Sequence, residues 1–124
     1  MADVIVPVSR SSFLCDFHVG YQDGRVDLYG IFNAIRPAIY PHVRKQIVVF
    51  VELTGGLGHV PFFFDIRRAM DDEVIRTTGV KSIHFPDRTS SIPLAMTLEG
   101  MRFAEPGVYV VNLFCHNTWC ATRQ

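Results

Sequence analysis

Phe103-Ala104-Glu105-Pro106-Gly107-Val108-Tyr109 is the stretch on which the reading of the fold turns. Pro106 fixes its own φ and has no N–H to donate, and Gly107 tolerates φ > 0, so the chain can reverse between them. β-rich apolar runs lie on both sides, Leu94 to Phe103 and Val108 to Cys115. Strand, tight turn, strand is the pattern of antiparallel sheet. Working outward, the same alternation recurs along the chain.

Ser12 to Tyr21 sets Phe13, Cys15, Phe17, Val19 and Tyr21 on one face and Leu14, Asp16, His18 and Gly20 on the other, a period of two. Asp23-Gly24 follows, a strong hairpin signal, and Arg25 to Phe32 returns. Pro37 and Pro41 mark Asn33 to Lys45 as a connection. Gln46 to Leu53 is apolar almost throughout and reads as a central strand. A glycine-rich turn at Thr54 to Gly58 leads to His59 to Ile66, which is expected to pair back on it. In Asp65 to Gly79, Ile66, Ala69, Met70 and Val74 have helical spacing, but Asp71-Asp72 reads as a turn between two strands. Strand-turn-strand is favoured, with a short helix around 66–76 as the alternative. Val80 to Phe85 and Thr118 to Arg123 complete about eight strands at spacings near ten residues, which predicts an all-β, single-domain antiparallel β-sandwich over 1–124.

Composition narrows the function classes. The chain has 124 residues, is 48% hydrophobic with ten phenylalanines, and carries no formal net charge. A domain of this size fills a core without disulfides or metals. Charge balance argues against duplex nucleic acid or an anionic membrane as partner, and does little to keep copies apart. Three cysteines and no secretory signal point to reduced thiols and a cytoplasmic setting. The longest apolar run, Ile47 to Val51, is too short to span a bilayer.

Phe13-Leu14-Cys15-Asp16, Gly30-Ile31-Phe32, Tyr40-Pro41 before the apolar strand, and Leu98 to Tyr109 ending in Glu105-Pro106-Gly107-Val108-Tyr109 together resemble an uncharacterised bacterial domain family of small β-sandwich proteins. The resemblance covers nearly the whole chain. It implies an antiparallel sandwich and no assigned activity.

No catalytic constellation rises above background. Asp16 and His18, at i and i+2, share a strand face, and Glu52 and His59 are further polar groups on strands. These four are the candidate binding residues of a pocket at the sandwich mouth or a dimer seam. Cys115, His116 and Cys120 have ligand chemistry, but a closed zinc site needs a fourth ligand, and no metal or cofactor is expected. Cys15 falls on the aromatic face and reads as a buried thiol. Gly55-Gly56-Leu57-Gly58 lacks the Lys-Ser/Thr of a phosphate loop. The apolar excess carries more weight. Phe62-Phe63-Phe64 sends Phe63 to the side opposite its neighbours, and Val48 and Phe50 oppose Ile47, Val49 and Val51. Both faces of this region are apolar, so Phe63, Val48 and Phe50 are candidate interface residues of a homo-oligomer, with the connection Asn33 to Lys45 as the alternative cover. The expectation is a non-catalytic binding or scaffold module acting as a homo-oligomer, with a possible protein partner; the alternative is a small-molecule binder or small enzyme with a pocket at the sandwich mouth or dimer seam.

Overall fold

A computed structural model describes residues 4–32, 34–35, 37 and 39–116, together with the backbone of 118–123. Its strands are β1 (Val8–Cys15), β2 (Phe17–Gly20), β3 (Val26–Tyr29), β4 (His42–Thr54), β5 (Gly58–Arg68), β6 (Glu73–Thr77), β7 (Lys81–Phe85), β8 (Ser91–Phe103), β9 (Tyr109–Cys115) and β10 (Thr118–Arg123). All ladders are antiparallel. The first sheet has the order β1-β4-β8. The second has the order β10-β9-β5-β6, with β7 also on β5, and β2-β3 form a small third sheet. One edge of the long β5 is shared: its first residues, Gly58 to Phe62, pair with β7 and its last, Asp65 to Arg68, with β6.

The two larger sheets bury alternate residues against each other. β4 contributes Ile47, Val49, Val51 and Leu53, and β5 contributes Val60, Phe62, Phe64 and Ile66. Leu98, Met101 and Phe103 of β8, Ile83 and Phe85 of β7, and Val111, Leu113 and Cys115 of β9 complete one contiguous core. Period-two burial with facing apolar sides is what makes a sandwich the stable solution for this sequence. In β8 the buried positions change parity between Leu98 and Met101, across Gly100, whose φ is +63°. A left-handed residue in mid-strand turns the end of β8 so that Met101 and Phe103 still reach the core.

Three expectations are corrected. The strand at 12–21 is broken at Asp16, so β1 and β2 belong to different sheets. β5 does not pair back on β4; the turn at 55–57 carries the chain from one sheet to the other. Likewise β8 and β9 are not hydrogen-bonded neighbours, and Glu105-Pro106-Gly107 is an arch between sheets rather than a hairpin. For the last two the reason is common: strands whose inward faces are apolar are better buried in facing layers than side by side at a sheet edge. Asp65 to Gly79 is strand-turn-strand, with β5 and β6 flanking Ala69 to Asp72. The Asp23-Gly24 hairpin forms as expected, with the Tyr21 N–H donating to the Arg25 carbonyl at 2.9 Å. In that loop only Gly24 has positive φ (+89°), so it is a three-residue loop ending in a left-handed glycine instead of a type I′ turn.

Candidate functional site

At one end of the sandwich the core is incompletely filled. β4 begins there, β8 ends there, and the arch at 104–108 returns the chain to β9. The inner wall is Leu14, Ile47, Val49, Ile66, Phe103 and Val111, drawn from both sheets. Phe32, Ile35, Pro37 and Tyr40 of the β3–β4 connection close the side. The space they leave is a cavity of about 370 Å³. Its lining holds no carboxylate, lysine or arginine among the described residues; the titratable groups on it are Tyr40, His42 and Tyr109.

The wall is held by polar contacts outside it. The Tyr109 hydroxyl donates to the Glu105 carbonyl at 2.6 Å, pinning the arch, and the Tyr109 ring meets Phe103 edge-on at 5.0 Å. The Phe32 N–H donates to the Leu14 carbonyl, which fastens the connection to β1. Arg44 lies over the Phe32 ring at 5.0 Å and donates to Asp16 Oδ1 at 2.6 Å, and the Gln46 amide donates to the Asp16 carbonyl at 2.9 Å. Asp16 therefore works as a clamp on the outside of the cavity wall. His42, the first residue of β4, is half-buried on the lining; its Nε2 is shut off from water and has no hydrogen-bond partner among the described residues.

The chain belongs to the family of unknown function DUF6941. The match runs over residues 10–124 and agrees with the resemblance to an uncharacterised domain family. No curated protein and no solved structure matches the chain. For this DUF6941 member, chemistry must be read from the geometry alone.

That geometry disperses the four polar candidates. Glu52 stands opposite Ser11 on β1, five residues from Asp16, or about 17 Å at the antiparallel rise. Glu52 accepts from Ser91 Oγ at 2.8 Å and has Arg10 at 3.7 Å. His18 sits on β2 opposite Leu28, half-buried. His59 is on the second sheet, exposed, its ring stacked on that of His84 directly opposite at 4.4 Å. Among the described residues, no hydrogen bond or ion pair joins any two of these four. Burial pushes the Cys15 thiol up, with the Asp16 charge adding to the effect against a backbone hydrogen bond, so the thiolate is disfavoured and Cys15 is a poor nucleophile. Cys115 is fully buried and His116 exposed, while the Cys120 side chain lies outside the described residues. No group of three His, Cys, Asp or Glu side chains among the described residues is placed to hold a metal.

The apolar candidates divide. Val48 is fully buried and Phe50 nearly so within the single chain, with Phe50 stacked on Phe13 at 6.4 Å, so neither offers surface to a partner. That corrects their reading as interface residues. Phe63 is half-buried and stacks on Phe114 at 5.0 Å on the outer side of β5 and β9. The connection thought able to cover a second apolar face instead closes the end of the sandwich. Sequence reasoning missed His42, Phe32 and Ile35 as site residues. The available signal was a proline-marked connection that nonetheless carries Phe32, Ile35, Ile39 and Tyr40.

No helix of the described residues is long and apolar enough to cross a membrane.

Proposed function

We propose that this chain is a non-catalytic binding module of the cytoplasm that takes a small apolar molecule into the cavity at the end of its sandwich. One observation carries the reading: about 370 Å³ of space inside an apolar lining drawn from both sheets and the β3–β4 connection. That volume falls within the range of ligand pockets, near its lower end. The separation of Asp16, Glu52 and His59 supports binding over acid–base catalysis, which needs its groups within hydrogen-bond reach of one substrate. Three cysteines favour a reducing compartment.

The test is equilibrium dialysis against naphthalene, an apolar probe of fitting size, read by its fluorescence. Saturable binding at one site per chain is expected. It should be lost in Val111→Phe, which places a larger ring on the cavity wall. Absence of binding to the unaltered protein, or equal binding by a folded Val111→Phe, would refute the reading.

A second reading is favoured by the half-buried Phe63–Phe114 pair on the outer side of the second sheet. It makes the module a homodimer through that face, compatible with the absence of net charge.

A further inference from the structure

His42 is, with Tyr40 and Tyr109, one of three titratable residues described on an otherwise apolar wall. His42 lies on the cavity lining, yet its Nε2 touches neither water nor a partner among the described residues, so as placed this nitrogen does not open on the cavity. A polar atom left so costs free energy, and structures rarely keep one without a reason. Ordered water is a poor remedy, because a water needs two to four polar partners and this lining is apolar. Histidine's outer torsion is broad and two-fold, so a turn about Cβ–Cγ exchanges the edges of the ring without moving the backbone.

We infer that the occupant of the cavity is a neutral molecule with one hydroxyl, and that this hydroxyl pairs with His42 Nε2 once the ring has turned about Cβ–Cγ to present it. The inference rests on the proposed binding function and names its ligand class. Charge decides against the alternatives. A carboxylate in the cavity would face no lysine or arginine among its described lining residues, and an ammonium group no carboxylate. Arg44, behind that wall, is committed to Asp16 from outside and lies against Phe32. A hydroxyl both donates and accepts, so it satisfies the imidazole nitrogen whether that nitrogen carries its proton or not. Tyr109 is not a competing partner, because its hydroxyl is spent on the Glu105 carbonyl. Size follows from volume: at about 30 Å³ per water-sized group, the cavity holds roughly a dozen such groups. A ring system or short branched chain of that bulk, with an alcohol or phenol at one end, meets all these conditions.

The experiment compares 2-naphthol with naphthalene on the full chain by the same dialysis, in the unaltered protein and in His42→Phe and His42→Gln. Phe keeps the ring and removes both nitrogens; Gln keeps a hydrogen-bonding end. The unaltered protein is expected to bind 2-naphthol about tenfold more tightly than naphthalene, the factor one net hydrogen bond represents. His42→Phe should bind both alike, and His42→Gln should recover part of the preference. Equal binding of the two probes by the unaltered protein overturns the inference while leaving the binding function standing. A preference kept in His42→Phe also overturns it. Binding of neither probe overturns the binding function and the inference with it. If His42→Phe does not fold, the ratio in the unaltered protein and in His42→Gln decides the matter. Tighter binding of 2-naphthoate than of 2-naphthol would overturn the neutral ligand class.

Discussion

Gly30→Ala should weaken the fold by about 2–3 kcal/mol, and the sum can be followed atom by atom. Gly30 has φ of +69°, and a side chain there carries a left-handed backbone cost of about 1 kcal/mol. A Cβ would also collide with Asp16 Oδ2 and lie 2.8 Å from its Cγ. Asp16 must then swing away and release Arg44, whose bond to it is partly exposed and contributes about 0.5–1 kcal/mol. Arg44 freed from Asp16 loses its hold over the Phe32 ring, a further ~0.5–1 kcal/mol. Urea unfolding followed by fluorescence measures the total. With a slope of about 1.5 kcal/mol per molar, the midpoint should fall by about 1.5 M. Asp16→Ala separates the causes. Alone it costs about 1–2 kcal/mol, but in that background Gly30→Ala should cost only its backbone part, so the two effects combine to less than their sum by about 1–2 kcal/mol. A midpoint change below about 0.3 M for Gly30→Ala would refute the reasoning outright. Strict additivity with Asp16→Ala would refute the role given to the clash.

The Arg68 guanidinium bonds Asp71 and holds its carboxyl below the ordinary value of 3.8, with the Glu73 N–H helping. A carboxyl depressed in the folded state stabilises above its unfolded value, and that contribution is lost as pH falls through the folded one. The gap in melting temperature between the unaltered protein and Asp71→Asn, present near neutral pH, should therefore close between about pH 5 and pH 3; a gap independent of pH would contradict this. For the homodimer reading, light scattering on size-exclusion eluate should give a dimer mass for the unaltered chain and a monomer mass for Phe63→Asp, with circular dichroism unchanged. A monomer mass for both removes the dimer.

The period-two pattern made the strands legible, because alternation is a local property of consecutive residues. Gln46 to Leu53 and His59 to Ile66 could be recognised as strands without knowing their neighbours, although β4 in fact begins at His42, inside what read as the connection. Which strands share a sheet was not legible. Gln46 to Leu53 and His59 to Ile66 are joined by a short glycine-rich turn, and a short link is ordinarily a hairpin. The turn at 55–57 instead crosses between layers, as Glu105-Pro106-Gly107 does, because both strands carry apolar side chains on the face that the opposite sheet must cover. The site was legible only in its materials. Asp16 was singled out as a ligand-facing acid, whereas its partners are Arg44 and Gln46, twenty-eight and thirty residues away. No spacing along the chain announces such contacts; they follow from β1 and β4 lying side by side.

Register also explains why two apolar outer faces do not by themselves demand a partner. Phe13 stands directly opposite Phe50, Phe17 opposite Tyr29, His59 opposite His84, and Phe63 opposite Phe114. In every case the two rings are stacked, at centroid separations from 4.4 to 6.4 Å. Each ring covers much of one face of its neighbour, so an outward phenylalanine exposes far less apolar area than its position in the sequence suggests, and the pair adds about 0.2–1 kcal/mol to the ladder that carries it. The aromatic excess is thus largely consumed in cross-strand pairs on the outer faces and in the Phe62, Phe64, Phe85 and Phe103 core between them. What it does not fill is the end of the sandwich, where β4 and β8 run past the core and the wall is closed by a connection instead of a strand. Strands pack side chains at fixed intervals, but a connection held at Phe32 and at the start of β4 can stand off from the sheets. A cavity at that place is a consequence of the topology, which is the reason to look for function there before looking to the outer faces.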